Sequence, residues 1–300
     1  MRWKFSFWTA GNAPKSDSSI FGCSSHGMAA GTSWIGDNVA GIASFGESLE
    51  GEVITGSYAE VLTSLEDPPC EPKAVIILFA GEMGVEAFLE QWNRLFPGVP
   101  VAGGAAARLD GSPRGELHPL SEDAAVLLLS EGTWTADTLN VHDRVASEWA
   151  FRADGPRDMA QLRPAAGGQW QAAAAVFRTQ QAARGRNSED CETITFSDAQ
   201  GRNLHVWISG DHLYTGANLP SEGPLFLRTV EKTAVAGKLD KFCFAPNSIV
   251  FGCAGLRGLI DKPLAVGTDG LAGFMFGELV TLGGQAQFGN LMASRLVLHK

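Results

Sequence analysis

No stretch of this sequence approaches the roughly 20 consecutive apolar residues that a membrane-spanning helix requires, so no such helix is expected. The opening Met1-Arg-Trp-Lys-Phe-Ser-Phe-Trp8 begins like a secretory leader, but the apolar run is short and Ser6, Thr9 and Gly11 interrupt it. Cysteine is scarce and scattered. Cys23, Cys70, Cys191, Cys243 and Cys253 are odd in number and contain no Cys-x-x-Cys pair. A disulfide framework is therefore not expected, and a reducing, cytoplasmic compartment is. Bases are outnumbered, with 23 Lys and Arg against 33 Asp and Glu. A formal charge of -10 argues against a nucleic-acid surface, which needs clustered cations.

Catalytic signatures are missing as well. The six histidines, His26, His118, His142, His205, His212 and His299, include no His-x-x-x-His or His-Glu-x-x-His, so no protein-held metal is expected. There is no Gly-x-x-x-x-Gly-Lys-Ser/Thr, and no Gly-x-Gly-x-x-Gly that opens a helix. Gly22-Cys-Ser-Ser-His-Gly27 is not a Gly-x-Ser-x-Gly nucleophile elbow. Ser24 and Ser25 therefore read as hydrogen-bonding groups rather than nucleophiles.

Glycine is what the chain has in quantity. Its 36 glycines follow no collagen-like period and imply many turns and close backbone contacts. Lys73 to Ala80 reads as a buried strand, and Met83 to Phe96 as a helix with Val85, Phe88, Leu89, Trp92 and Leu95 on one face. Further strands are expected over Arg2–Trp8, Asn38–Phe45, Val53–Tyr58, Val99–Ala102, Ala124–Leu129 and Thr133–Val141, and Ser19–Gly27 reads as a short strand running into a Gly- and Ser-rich loop. Val145 to Ala166 is polar with prolines, and a domain boundary is placed there. Gln169–Ala183 and Thr229–Phe242 read as helices, with short strands between them and more strands to the end. A pattern recurs in Ile20-Phe-Gly-Cys-Ser-Ser, Val101-Ala-Gly-Gly-Ala-Ala and Ile249-Val-Phe-Gly-Cys-Ala: an apolar strand running into a corner of small residues. The expected fold is α/β, with mixed sheets built from duplicated strand–helix–strand units in two pseudo-related halves, residues 1–145 and 146–300.

The clearest motifs lie near the end. Phe251-Gly-Cys-Ala-Gly-x-Arg257 is followed by Gly273-Phe-x-x-Gly-Glu278, then by Gly289-Asn-x-x-x-x-Arg-Leu-Val-Leu298. Their order resembles the C-terminal signature of the FIST sensory domain, with Gly289 where the family carries His. Gly22-Cys-Ser-Ser-x-Gly and Pro100-Val-x-Gly-Gly-x-Ala resemble its N-terminal half, trimmed at the start. The resemblance covers roughly residues 18 to 300. It implies a small-ligand-binding sensory module of signal transduction, partnered by a separate histidine kinase, chemoreceptor or cyclic-nucleotide enzyme. The ligand, a small metabolite such as an amino acid, would bind between the two halves.

The candidate ligand residues are Gly22, Cys23, Ser24, Ser25, Gly103, Gly104, Cys253, Arg257, Glu278 and Asn290. Arg257 and Glu278 suit a zwitterion, guanidinium to carboxylate and carboxylate to ammonium, or else form a salt bridge with each other. Gly103-Gly104 can cradle an anion or pack strands closely. Cys23 and Cys253 are reactive thiols, activated by nearby amides or by Arg257, or small buried fillers. No cofactor is expected. Two alternatives remain open: a haem-dependent nitric-oxide sensor using His26, His205 or His212, and a metabolic enzyme using a Cys or Glu of the same pocket.

Overall fold

The computed structural model describes residues 4–9, 20–25, 28–30, 33–36, 39–44, 51–106, 117–118, 123–185, 192–260 and 271–299. The fold is mixed α/β, and the described residues form four sheets and a few helices. No helix among the described residues is long and apolar enough to cross a membrane.

The central six-stranded sheet runs in the order Gln285–Gly289, Glu278–Leu282, Val101–Ala105, Ala74–Phe79, Ala124–Leu129 and Gly51–Gly56. Its pair Ala74–Phe79 and Val101–Ala105 is parallel and its other pairs are antiparallel. Ala74–Phe79 is buried throughout because both faces of the sheet are covered. Val75, Ile77 and Phe79 face one core, and Ala74, Ile76 and Leu78 face another.

A second six-stranded sheet has the order Thr133–Asn140, Met292–His299, Ser248–Cys253, Leu271–Met275, Met28–Ala30 and Ser33–Gly36. Here Ser248–Cys253 and Leu271–Met275 form the parallel pair. A four-stranded sheet holds Lys4–Thr9, Val39–Ser44, Ile20–Ser25 and Leu117–His118. The three strands that share the small-residue pattern therefore stand in three different sheets. The last sheet is antiparallel and is built from residues between Arg144 and Glu231.

Residues expected to mark a boundary form the middle of that last sheet. Arg144–Gly155 and Asp158–Pro164 are paired strands. Only one face of this hairpin is buried, through Trp149, Met159 and Leu162, so its composition stays polar.

Among the described residues, five helices pack on these sheets: α1 (Tyr58–Glu66), α2 (Val85–Leu95), α3 (Ala173–Ala182), α4 (Lys232–Cys243) and α5 (Ala254–Arg257). The apolar stripe read on α2 is buried at Val85, Phe88, Leu89 and Trp92, while Leu95 is left exposed. Helix α1 was not expected, although its start carries a capping box. The Ser57 side chain accepts the Glu60 amide, and the Glu60 carboxylate accepts the Ser57 amide at 2.8 Å.

Two substitutions test this framework by urea denaturation. Ser57→Ala removes the cap and is expected to cost about 1 kcal/mol. Gly103→Ala is expected to cost more, upwards of about 2 kcal/mol. Its φ is +145° and an added Cβ would lie 1.8 Å from the Ile77 carbonyl oxygen. Equal midpoints for the two variants would contradict that ranking.

Candidate functional site

The predicted residues gather around the turn from Met275 to Glu278. Cys253 is the parallel register partner of Met275. From the neighbouring sheet, the Cys23 thiol lies 3.7 Å from Met275 Sδ. Gly277, at φ +92°, turns the chain into the strand Glu278–Leu282. There Glu278 is flanked by Gly104 on one side and by Gly289 on the other. Cys23, Gly103, Gly104, Cys253 and Glu278 thus converge from four strands, and Asn290 joins them from the turn after Gln285–Gly289.

Gly22, Ser24 and Ser25 are paired strand residues rather than a loop. Gly103 and Gly104 serve close packing: a Cβ at Gly104 would lie 2.4 Å from the Gly277 carbonyl oxygen. Arg257 ends α5 and donates to the Ile260 carbonyl at 3.0 Å. His26 lies outside the described residues. The His205 ring is exposed beside Trp207, and its carbonyl accepts the Gly216 amide, on which Asn290 packs. His212 stands on the antiparallel sheet with Nδ1 2.7 Å from Asp158 Oδ1, which raises its pKa.

Burial sets the electrostatics of this corner. Glu278 is fully buried; its Oε1 accepts the Met292 amide at 2.7 Å, while Oε2 has no hydrogen-bond partner. Asn290 Oδ1 is also buried without one. Burial lifts the Glu278 carboxyl to about 8, against the lowering effect of the Met292 amide and the Cys253 thiol. The Cys253 thiol is raised far beyond the ordinary range, first by burial and then by the neighbouring Glu278. Burial alone lifts Cys23 to about 12. Activated thiols were one expectation for these residues, and burial produces the opposite. Both stay protonated at neutral pH.

Two features went unread in the sequence. The first is an amide pair that fixes the strand entering the corner. Asn140 and Asn203 exchange side-chain hydrogen bonds at 2.8 Å, and Asn203 also donates to the Leu291 carbonyl at 3.4 Å and to Met292 Sδ. This holds Leu291 in its left-handed conformation, φ 55°, and presents the Met292 amide to Glu278.

The second is a cleft of about 610 Å³, walled by α2, the Asp198–Arg202 turn, the 218–222 segment and the strand Gln285–Gly289. At its floor the Glu86 carboxylate accepts Arg157 Nη2 at 2.9 Å, Arg202 Nη1 at 3.3 Å and the Asn218 amide at 2.7 Å. One side chain of α2 thereby holds three donors from residues 157–218. The visible signal was the i,i+4 spacing of Asp198 and Arg202, which pair at 2.9 Å.

With this geometry in view, the comparison with protein families identifies residues 13–149 as matching the FIST N domain. No curated protein matches the chain.

Because the folded chain keeps the Glu278 proton that the unfolded chain releases, this group destabilises the fold as pH rises from about 4.5 towards about 8. Glu278→Gln is expected to flatten that part of the stability–pH curve, read by denaturant midpoints across the range. An unchanged slope would mean that Glu278 does not titrate in this window. Cys23 and Cys253 are expected to resist alkylation in the native protein and to react once it is unfolded, as read by mass spectrometry.

Proposed function

From the match of residues 13–149 to the FIST N domain, a sensory domain of signal transduction, we infer a module that holds a small polar metabolite between its two halves and reports to a separate signalling protein. The observation that supports this reading most is the cleft. Its volume of about 610 Å³ falls within the roughly 300–1,000 Å³ of typical small-ligand sites. Its walls come from both halves. Among the described residues that line it, the carboxylates Glu86, Glu90, Asp198 and Glu222 outnumber the cation Arg202, with Arg157 held behind Glu86. Arg202 is already bound to Glu86, Asp198 and the Asn218 carbonyl. That balance suits the ammonium end of an amino acid.

The strand-end corner adjoins this cleft. Phe288 is part of the cleft wall, and its ring sits on Gly277, where a Cβ would lie 2.3 Å from Cζ. Moving Phe288 therefore moves the turn that carries Glu278. In this proposal Cys23, Gly103, Gly104, Cys253, Glu278 and Asn290, together with Gly22, Ser24, Ser25 and Arg257, form the group that answers occupancy. The answer is a change of shape or surface that a partner reads.

Calorimetric titration with the standard amino acids tests the reading. At least one is expected to bind, and Gln287→Trp, which fills the cleft from its edge strand, is expected to weaken it by at least tenfold, about 1.4 kcal/mol. Full affinity in that variant would remove the ligand from the cleft and sink the proposal.

A further inference from the structure

On the outer face of the antiparallel sheet, two guanidinium groups share one indole. Arg152 and Arg163 lie on adjacent strands, in the register Arg152↔Gln161 and Ala150↔Arg163. They point away from the core, because the alternate residues Trp149, Phe151 and Leu162 belong to it. After Pro164 the chain turns through Gly167 and Gly168, at φ +115° and +129°, and pairs back beside Leu162 and Gln161. The return brings Trp170 over both cations. Arg152 Cζ is 4.3 Å and Arg163 Cζ 4.8 Å from the ring centroid.

The charge balance of this patch is anomalous. The chain carries ten more acids than bases (33 against 23), and several of its arginines are paired with carboxylates: Arg144, Arg157, Arg184, Arg202 and Arg295. Among the described residues, Arg152 hydrogen-bonds the neutral Gln161, at 3.2 Å. Arg163 Nε is buried and has no hydrogen-bond partner. Two like charges are held side by side, and the indole offsets part of their repulsion, by about 0.5–1 kcal/mol per cation at an exposed site. What would complete the arrangement is an anion able to accept from two guanidinium forks. A phosphate group, with three or more acceptor oxygens and up to two negative charges, does this better than a carboxylate.

We infer that Arg152, Arg163 and Trp170 form a phosphate-binding site, separate from the cleft, for inorganic phosphate or a small phosphomonoester. Binding brings charge to the two forks and releases the repulsion between them. No bond is made or broken.

The test is calorimetric titration of the full chain with inorganic phosphate and with O-phosphoserine, with acetate as the control anion. Both phosphate probes are expected to bind in the millimolar range or tighter. Arg152→Gln/Arg163→Gln is expected to weaken both by at least tenfold, and Gln287→Trp to leave them unchanged. Stronger binding of phosphoserine than of phosphate assigns the site to esters, and the reverse assigns it to the free ion. The inference fails if neither probe binds at about 10 mM, a concentration that detects even millimolar sites. It also fails if acetate binds equally well, or if the double variant keeps wild-type affinity with an unchanged melting temperature. Because the cleft is read with amino acids and Gln287→Trp, either site can fail without the other.

Discussion

The backbone pairing of Gly104 with Glu278 is the contact on which the rest of this structure depends. The Ala105 amide donates to the Gly277 carbonyl at 3.0 Å, and the Phe276 amide donates to the Ala105 carbonyl at 2.8 Å. Through those bonds the late hairpin, residues 278–289, joins a sheet begun by residues 51–129. Approach this close requires a bare backbone: side chains at Gly103 and Gly104 would collide with the Ile77 and Gly277 carbonyl oxygens. Glycine here is a condition for continuity between the ends of the chain. The buried carboxyl, the Phe288 ring and the cleft wall all follow from where that hairpin is seated.

Sequence reasoning reached this corner because its signals are strong and local. Val75-Ile-Ile-Leu-Phe79 is apolar at every position, and only a strand covered on both faces accounts for that. The α2 stripe declared itself by period. Small residues at Gly103-Gly104 and at Gly277-Glu278 marked the close approaches. Other parts were hidden for physical reasons. The strands within Val145–Ala166, where the boundary was placed, were missed because half of the hairpin's face is wet. Helix α1 is short, and its cap, Ser57 to Glu60, was legible yet was absorbed into a neighbouring strand. Of the cleft, only the i,i+4 spacing of Asp198 and Arg202 was legible. Glu86, Arg157, Arg202 and Asn218 are each ordinary surface types, and only tertiary packing makes them one network.

The same packing decides what chemistry the corner can perform. Side chains that looked nucleophilic in sequence lose that character once water is removed, because a buried thiol gains nothing from ionising. Cys253 and Glu278 each make the other's charged form costlier or cheaper by position alone. The exposed face of the antiparallel sheet is different in kind, since its guanidinium groups keep their charge whatever the surroundings.

The shared sheets also set a schedule for synthesis. Met28–Ala30 must wait for Leu271–Met275, and Val101–Ala105 presents a bare edge until Glu278–Leu282 leaves the ribosome. At about 5–20 residues per second, that edge stays open for roughly 10 to 35 seconds. An unpaired, fully apolar strand is a template for intermolecular pairing. For this chain the hazard of aggregation falls on the newborn polypeptide, and it ends only when the last hairpin closes the sheet.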